Sequence, residues 1–241
     1  MTETPVAIIT GATGGIGLAL TSELADLGYR TVIHGFRGPR NAEDVAKQFP
    51  NAVAIEADLS TTQGAELLKE AALEAFGRID VVVNNAGIGV PVPHHDLDAI
   101  TQEFFEKMLG INLVGAWLVT RACANELRRS SGCIVNISSI AGSTVGGSSI
   151  PYAVSKAGLD HMTRLLAAAM GPEVRVNAIA PGFVETERTS SWSTLRANVD
   201  ANSPLRRTGV PAEVAKACIA LIEAKYTTGE ILRVDGGLGL L

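Results

Sequence analysis

The sequence is short of cysteine, of clustered positive charge and of long apolar runs, and each shortage excludes a class of function. Its three cysteines, Cys123, Cys133 and Cys218, are odd in number and show no metal-type spacing. They suit packed or free thiols in a reducing compartment rather than a disulfide framework, so the cytoplasm is the expected location. The net charge is −5 and no basic tract occurs, which argues against a nucleic-acid surface. The pairs Arg128–Arg129 and Arg206–Arg207 are expected at solvated helix ends or in loops. No apolar run approaches the roughly 20 residues needed to span a bilayer, so no membrane partner is expected. The first residues, Met1-Thr2-Glu3-Thr4-Pro5, place an acid where a signal peptide carries a base, and no cleavage pattern follows. The four histidines do not gather with carboxylates at ligand spacing, and no metal is expected. His94 and His95 stand in a Pro-rich loop without a G-x-S-x-G elbow, which argues against a hydrolase.

Short β-branched runs instead alternate with longer helical patterns along the whole chain. The runs are Val6–Thr10, Thr31–Ile33, Ala52–Ile55, Ile79–Val83, Cys133–Ile137, Val174–Ile179 and Ile231–Val234. Near-continuous hydrophobicity predicts strands buried on both faces, with the intervening helices as crossovers of a mostly parallel sheet. Gly28 and Gly77 are expected to end helices, and Pro151 and Pro211 to begin them. No linker, repeat or low-complexity segment divides the 241 residues. The expectation is one doubly wound α/β (Rossmann) domain over residues 1–241, with seven strands and helices on both faces. Residues 87–98 and 185–204 break the alternation. Both follow strands, where ligands bind in open parallel sheets, so they are candidate pocket walls, the second as a substrate lid.

The first strand runs into Thr10-Gly11-Ala12-Thr13-Gly14-Gly15-Ile16-Gly17. A dinucleotide's pyrophosphate needs backbone N–H groups at close range, a positive helix end and no obstructing side chains, and glycines there supply all three. Any tight strand-to-helix turn also uses glycine. The position after an N-terminal strand and before an amphipathic segment favours the dinucleotide. The G-x-x-x-G-x-G spacing resembles the short-chain dehydrogenase/reductase family.

Tyr152-Ala-Val-Ser-Lys156 opens a predicted helix after Pro151. A spacing of four puts both side chains on one helix face. A free phenol titrates near about 10, and a neighbouring ammonium favours its ionised form, so the pair suits general acid/base chemistry. An ordinary helix face with a snorkelling Lys is the alternative for the pair alone. The resemblance supplies the context. Ser139, thirteen residues before Tyr152, matches the family serine that hydrogen-bonds the substrate oxygen, and is favoured over Ser138. Asn112 in Ile111-Asn-Leu-Val-Gly115 matches the asparagine of a water-linked proton relay to the lysine. A mid-helix Asn is otherwise a modestly poor helix former, or a satisfied buried polar group.

The same resemblance implies further cofactor contacts. Asn84-Asn85-Ala86-Gly87 matches the family's N-N-A-G, in which the small residues let the backbone pass the adenosine ribose and an Asn ties neighbouring strands, so Asn85, Ala86 and Gly87 are cofactor candidates. Asp58 and Leu59 match the pair that meets the adenine. Pro181, Gly182, Val184 and Thr186 match the segment facing the nicotinamide carboxamide, and Lys156 also holds the nicotinamide ribose. An acid at the end of the second strand would bind a ribose 2′-OH and repel a 2′-phosphate. Phe36 stands there instead, followed by Arg37, whose geometry suits phosphate. NADP(H) is therefore favoured over NAD(H). Gly14 stands where many NADP-dependent relatives carry Arg or Lys, and Arg40 is the candidate to compensate.

The implied activity is an NADPH-dependent carbonyl reductase acting on a ketone or 3-oxoacyl thioester, with Tyr152 as general acid. An NAD(P)-dependent alcohol, sugar or steroid dehydrogenase working oxidatively is the alternative, and a non-catalytic dinucleotide-binding protein a further one. Intact Asn112, Ser139, Tyr152 and Lys156 argue against the last. A small carbonyl or alcohol substrate is the expected partner. The family also implies a homo-oligomer, dimer or tetramer, built on the helices around Asn112–Leu127 and Ser155–Met170.

Overall fold

The computed structural model describes residues 4–240; the signal-peptide reading of Met1–Glu3 and the extreme C-terminal residue lie outside them. Seven strands form one sheet: β1 (Val6–Ile9), β2 (Arg30–Gly35), β3 (Ala52–Glu56), β4 (Val81–Asn84), β5 (Cys133–Ile137), β6 (Arg175–Pro181) and β7 (Ile231–Val234). Their order is β3-β2-β1-β4-β5-β6-β7, and every pairing is parallel. The expected "mostly parallel" sheet is thus parallel throughout. Eight helices make the crossovers: α1 (Gly15–Asp26), α2 (Ala42–Ala46), α3 (Thr62–Phe76), α4 (Gln102–Leu109), α5 (Gly115–Ser130), α6 (Ile150–Met170), α7 (Ser193–Asn202) and α8 (Pro211–Glu223).

Alternation along the strands builds two cores. Ala7 and Ile9 face α1 and α8 with Leu20, Leu24, Val214 and Leu221. Val6 and Ile8 point the other way, with Leu68, Val119, Leu127 and Met170 of α3, α5 and α6. Both strand faces are dry, which is why the runs read as continuous rather than alternating. The helix punctuation follows the sequence: Gly28 and Gly77 adopt positive φ at helix ends, and Pro151 and Pro211 lie in the first turns of α6 and α8. Arg129 pairs with Glu126 and Arg207 with Glu213, both arginines remaining solvated. Cys123, Cys133 and Cys218 are free and buried; burial pushes the Cys123 thiol up to about 12.

A polar ladder crosses the middle of the sheet. Asn84 Nδ2 donates to Asn136 Oδ1 at 2.9 Å, Asn136 Nδ2 donates to Thr163 Oγ1 at 2.8 Å, and Thr163 donates to Leu159 O. All are buried, and Asn84 Nδ2 also reaches Thr120 Oγ1 at 3.2 Å, so the bonds form one connected network. Asn136→Ala removes a buried partner from Asn84 and from Thr163, although Asn84 Nδ2 keeps Thr120 Oγ1 and Thr163 keeps Leu159 O, and it is expected to cost about 2 kcal/mol. A shift of the urea midpoint at constant slope measures it; an unchanged midpoint contradicts the ladder's role.

The order reverses between β1 and β4, because β1 has β2 on one side and β4 on the other. The chain ends of β1, β4, β5 and β6 therefore open a crevice at that switch point.

Candidate functional site

The phosphate loop is fixed from beneath. Thr10 Oγ1 accepts from the backbone N–H groups of Asn85 and Ala86, both at 2.9 Å, and Asn85 Nδ2 returns bonds to Thr10 O and Gly11 O. Gly11 N–H donates to His34 Nδ1 at 3.1 Å, which leaves the proton on Nε2 to donate to Ala57 O at 2.8 Å. Burial pushes the His34 imidazole below its ordinary value, in keeping with a neutral ring that accepts at one nitrogen and donates at the other. Gly11 sits at φ +62°, and a Cβ there would stand 2.9 Å from Ala86 Cα; one on Gly17 would stand 2.2 Å from Gly11 O. Gly17 thus brings α1 against the loop. Thr10 opens the motif in the sequence, but its bonds to Asn85 and Ala86, and the part His34 plays, were not legible, since these contacts are long-range.

The other cofactor candidates fall around the crevice. Gly14 caps α1 and Gly15 opens it, while Ile16 lines the crevice. The Thr13 side chain turns away, packing against Gly35 and Gly38, and its carbonyl accepts from Arg40 at 3.3 Å. Arg37 lies just beyond β2, its guanidinium 4.9 Å from the Phe36 ring centroid. Asp58 accepts from Ser60, which holds its carboxyl below the usual range, with Arg37 adding a smaller pull. Leu59 beside it is buried. Asn85, Gly87, Pro181, Gly182, Val184 and Thr186 line the crevice itself.

Tyr152 and Lys156 share a face of α6, and Lys156 Nζ lies 5.8 Å from the Tyr152 ring centroid. Lys156 is 4% exposed and donates to Ile137 O at 2.7 Å. Burial drives its ammonium down to about 7, with a smaller push from Arg188, and Asp160 opposes both. Ser139 Oγ accepts from Ala141 N–H at 3.2 Å and lines the crevice; Ser138 donates to Lys156 O beneath it. Asn112 does not sit in a regular helix. It lies in a π-helical turn, Gly110–Val114, between α4 and α5, a local insertion that tolerates a poor helix former and is frequent at functional sites. Its amide grips the backbone of Ile88 both ways, accepting from N–H at 2.8 Å and donating to O at 3.0 Å, and donates to Ser155 Oγ at 3.1 Å. Gly87 separates it from the lysine: a Cβ there would stand 3.1 Å from Asn112 Oδ1 and 3.7 Å from Lys156 Nζ.

The crevice encloses about 920 Å³. Ser139, Tyr152 and Lys156 line it together with Phe183, Trp192 and Val199. Trp192 lines the crevice and meets Phe183 edge-on, with ring centroids 6.3 Å apart. The 185–204 segment holds a helical turn, Glu187–Thr189, and α7. Its Ser/Thr-rich sequence hides the helix, since few apolar residues mark a buried face. Glu185 ties it down by accepting from Thr208 and pairing with Arg196. The crevice walls carry Lys156 and Arg188 and no Asp or Glu among the described residues. Anionic surroundings are absent where an anionic, partly apolar dinucleotide would lie, and the glycine cradle leaves the backbone open to it, so the residues fit such a cofactor. No group of three or more His, Cys, Asp or Glu suited to a metal occurs among the described residues.

A family model described as enoyl-(acyl carrier protein) reductase matches residues 11–239. A protein of Streptomyces violaceoruber described as a ketoacyl reductase of the granaticin polyketide synthase is 47% identical, over 99% of this chain and 98% of its own. The chain belongs to the short-chain dehydrogenase/reductase family. Among solved structures, a short-chain dehydrogenase/reductase from Burkholderia xenovorans superposes with a TM-score of 0.91 at 31% identity, covering 100% of both chains. A second, described as ElxO with NADP bound, gives 0.89 at 26% identity, over 99% of this chain and 100% of its own. The chain is therefore an oxidoreductase acting on CH–OH or C=O groups. Among the described residues no helix is long and apolar enough to cross a membrane.

Proposed function

We propose that this enzyme reduces a ketone or 3-oxoacyl thioester to the secondary alcohol with NADPH. The observation that carries the reading is the meeting of Ser139, Tyr152 and Lys156 in one crevice, which Ile16 of the glycine loop also lines. Bound NADPH supplies the hydride. The Ser139 hydroxyl orients the substrate oxygen, and the Tyr152 hydroxyl delivers a proton to it as the alcohol forms. Lys156 lies along the same face and holds positive charge near that oxygen when protonated. Asn112 acts at one remove, holding Ile88 and so Gly87 beside Lys156 and Gly89 beside Tyr152. The apolar wall of Phe183 and Trp192 suits an acyl or ring-bearing ketone better than a polyol. The ketoacyl reductase description of the 47% identical relative supports the same substrate class.

The direct test is NADPH oxidation against a panel of 3-oxoacyl thioesters, simple ketones and sugars. Turnover confined to sugars overturns the substrate class. For the cofactor, Arg37 and Arg40 are the candidate ligands of a 2′-phosphate. Arg37 carries no acid neighbour in β2, and Arg40 Nη1 comes within 4.0 Å of where a Gly14 Cβ would be, the place that relatives fill with a cation. Arg37→Ala is expected to raise the NADPH KM about tenfold while leaving the NADH KM within about twofold. Equal effects on the two cofactors sink the preference. We also read the enzyme as a cytoplasmic homo-oligomer. Val114, Trp117, Val154 and Leu165 leave apolar surface exposed along α5, α6 and the turn before α5, whereas Leu159 and Leu166 of the same stripe are spent in the core of their own subunit.

A further inference from the structure

The segment after β6 is fastened across the crevice by three consecutive residues. The Thr186 methyl lies against the phosphate loop, 3.0 Å from where a Cβ of Gly15 would stand. Glu187 pairs with Arg40 at the outer rim. Arg188 turns the opposite way and donates from Nη1 to Gly87 O at 2.8 Å. Gly87 in turn adjoins Lys156, with 3.7 Å between its absent Cβ and Nζ. The Arg188 guanidinium therefore hangs over the strip that runs from the phosphate loop to the catalytic lysine.

We propose that Arg188 clamps the pyrophosphate of the bound dinucleotide, exchanging the Gly87 carbonyl for phosphate oxygens. The inference rests on the dinucleotide reading of the crevice and adds a ligand that the glycine motif does not announce. A guanidinium is best satisfied by a planar, bidentate anion, and here its partner is one neutral carbonyl. The crevice walls offer it no carboxylate. The paired negative charge of a dinucleotide lies between its adenosine and nicotinamide halves, and so between the glycine loop and Lys156. Arg188 comes from the lid, so this contact also draws the lid over the cofactor. It differs in kind from Arg37 and Arg40, which stand beyond β2 and sense only a 2′-phosphate.

The source of the anion is what the experiment separates, because a carboxylate or phosphate on the substrate would suit the same side chain. Dinucleotide binding is measured without turnover, by the fluorescence of NADPH and of NADH titrated into wild type, Arg188→Met and Arg188→Lys. Arg188→Met is expected to raise both dissociation constants by the same factor, on the order of tenfold, as for loss of a charge-assisted hydrogen bond. Raising the salt concentration about tenfold should narrow the gap between wild type and Arg188→Met. Arg188→Lys keeps the charge and should recover part of the loss, which guards against a merely misfolded lid. Unchanged dissociation constants overturn the clamp. So does a loss confined to the KM of a carboxylate-bearing ketone, since the cation would then serve the substrate. Wild type that binds neither dinucleotide sinks the cofactor reading itself, and the clamp with it.

Discussion

Tyr152→Phe is expected to lower kcat about a thousandfold while leaving NADPH affinity within about twofold. The first figure is the usual worth of a positioned general acid. The second follows from the packing: the Tyr152 ring lies against Gly89, whose absent Cβ would be 3.6 Å from it, and a phenyl ring keeps that contact. The hydroxyl alone is lost. Ser139 still orients the substrate oxygen and Lys156 stays in place, so the residual rate reports what the crevice achieves without a proton donor. Steady-state turnover and a dinucleotide titration on the same preparation give the two numbers. Unchanged turnover would refute the mechanism. A parallel fall in both would mean that the ring, rather than the hydroxyl, is what the site needs.

Much of this site was legible because its signals are local. β-branched runs marked the strands, each of which lies where the pattern placed it to within a few residues. Tyr152 and Lys156 announced themselves by spacing, and the glycines of residues 11–17 by following a strand. What was illegible depends on partners far away in the chain. Arg188 and Gly87 are 101 residues apart, and Arg40 and Glu187 are 147 apart; no periodicity links such pairs. Asn112 was expected in a regular helix, and only the backbone reveals the π-turn, because a one-residue insertion leaves composition unchanged. His34 read as an ordinary strand residue, and its role in holding Gly11 needs the crossing of β2 over the loop. The apolar lining of the crevice is the extreme case. Phe183, Trp192 and Val199 converge from a strand end and a lid helix, and neither the convergence nor the helix leaves a period in a Ser/Thr-rich segment.

Lys156→Met tests the cost of burying the lysine proposed to assist Tyr152, and its expected result has two parts. Activity falls to near background, because nothing else on that face of α6 places positive charge beside Tyr152. Stability changes in a way that depends on pH, and the sign follows from where Lys156 titrates. Its ordinary value is 10.5, and burial lowers it to about 7 in the folded chain. Between those limits the unfolded chain holds a proton on this group that the folded chain does not. The unfolding free energy therefore rises with pH across that interval through this residue, and is flat through it below about 7. Methionine carries no proton, so the variant lacks this rise. Relative to wild type, Lys156→Met is most stable at or below neutral pH, and its advantage shrinks steadily toward about pH 10. Losing the bond to Ile137 O strands a carbonyl and subtracts a constant from the variant. The intercept of the difference mixes both effects, whereas its slope belongs to the lysine alone. Urea midpoints measured from about pH 6 to about pH 9.5 give that slope. A difference that does not vary with pH contradicts the lowered lysine, and a difference that grows with pH reverses the assignment: Lys156 would then be stabilised as an ammonium in the free enzyme, held by Asp160 against the push of Arg188.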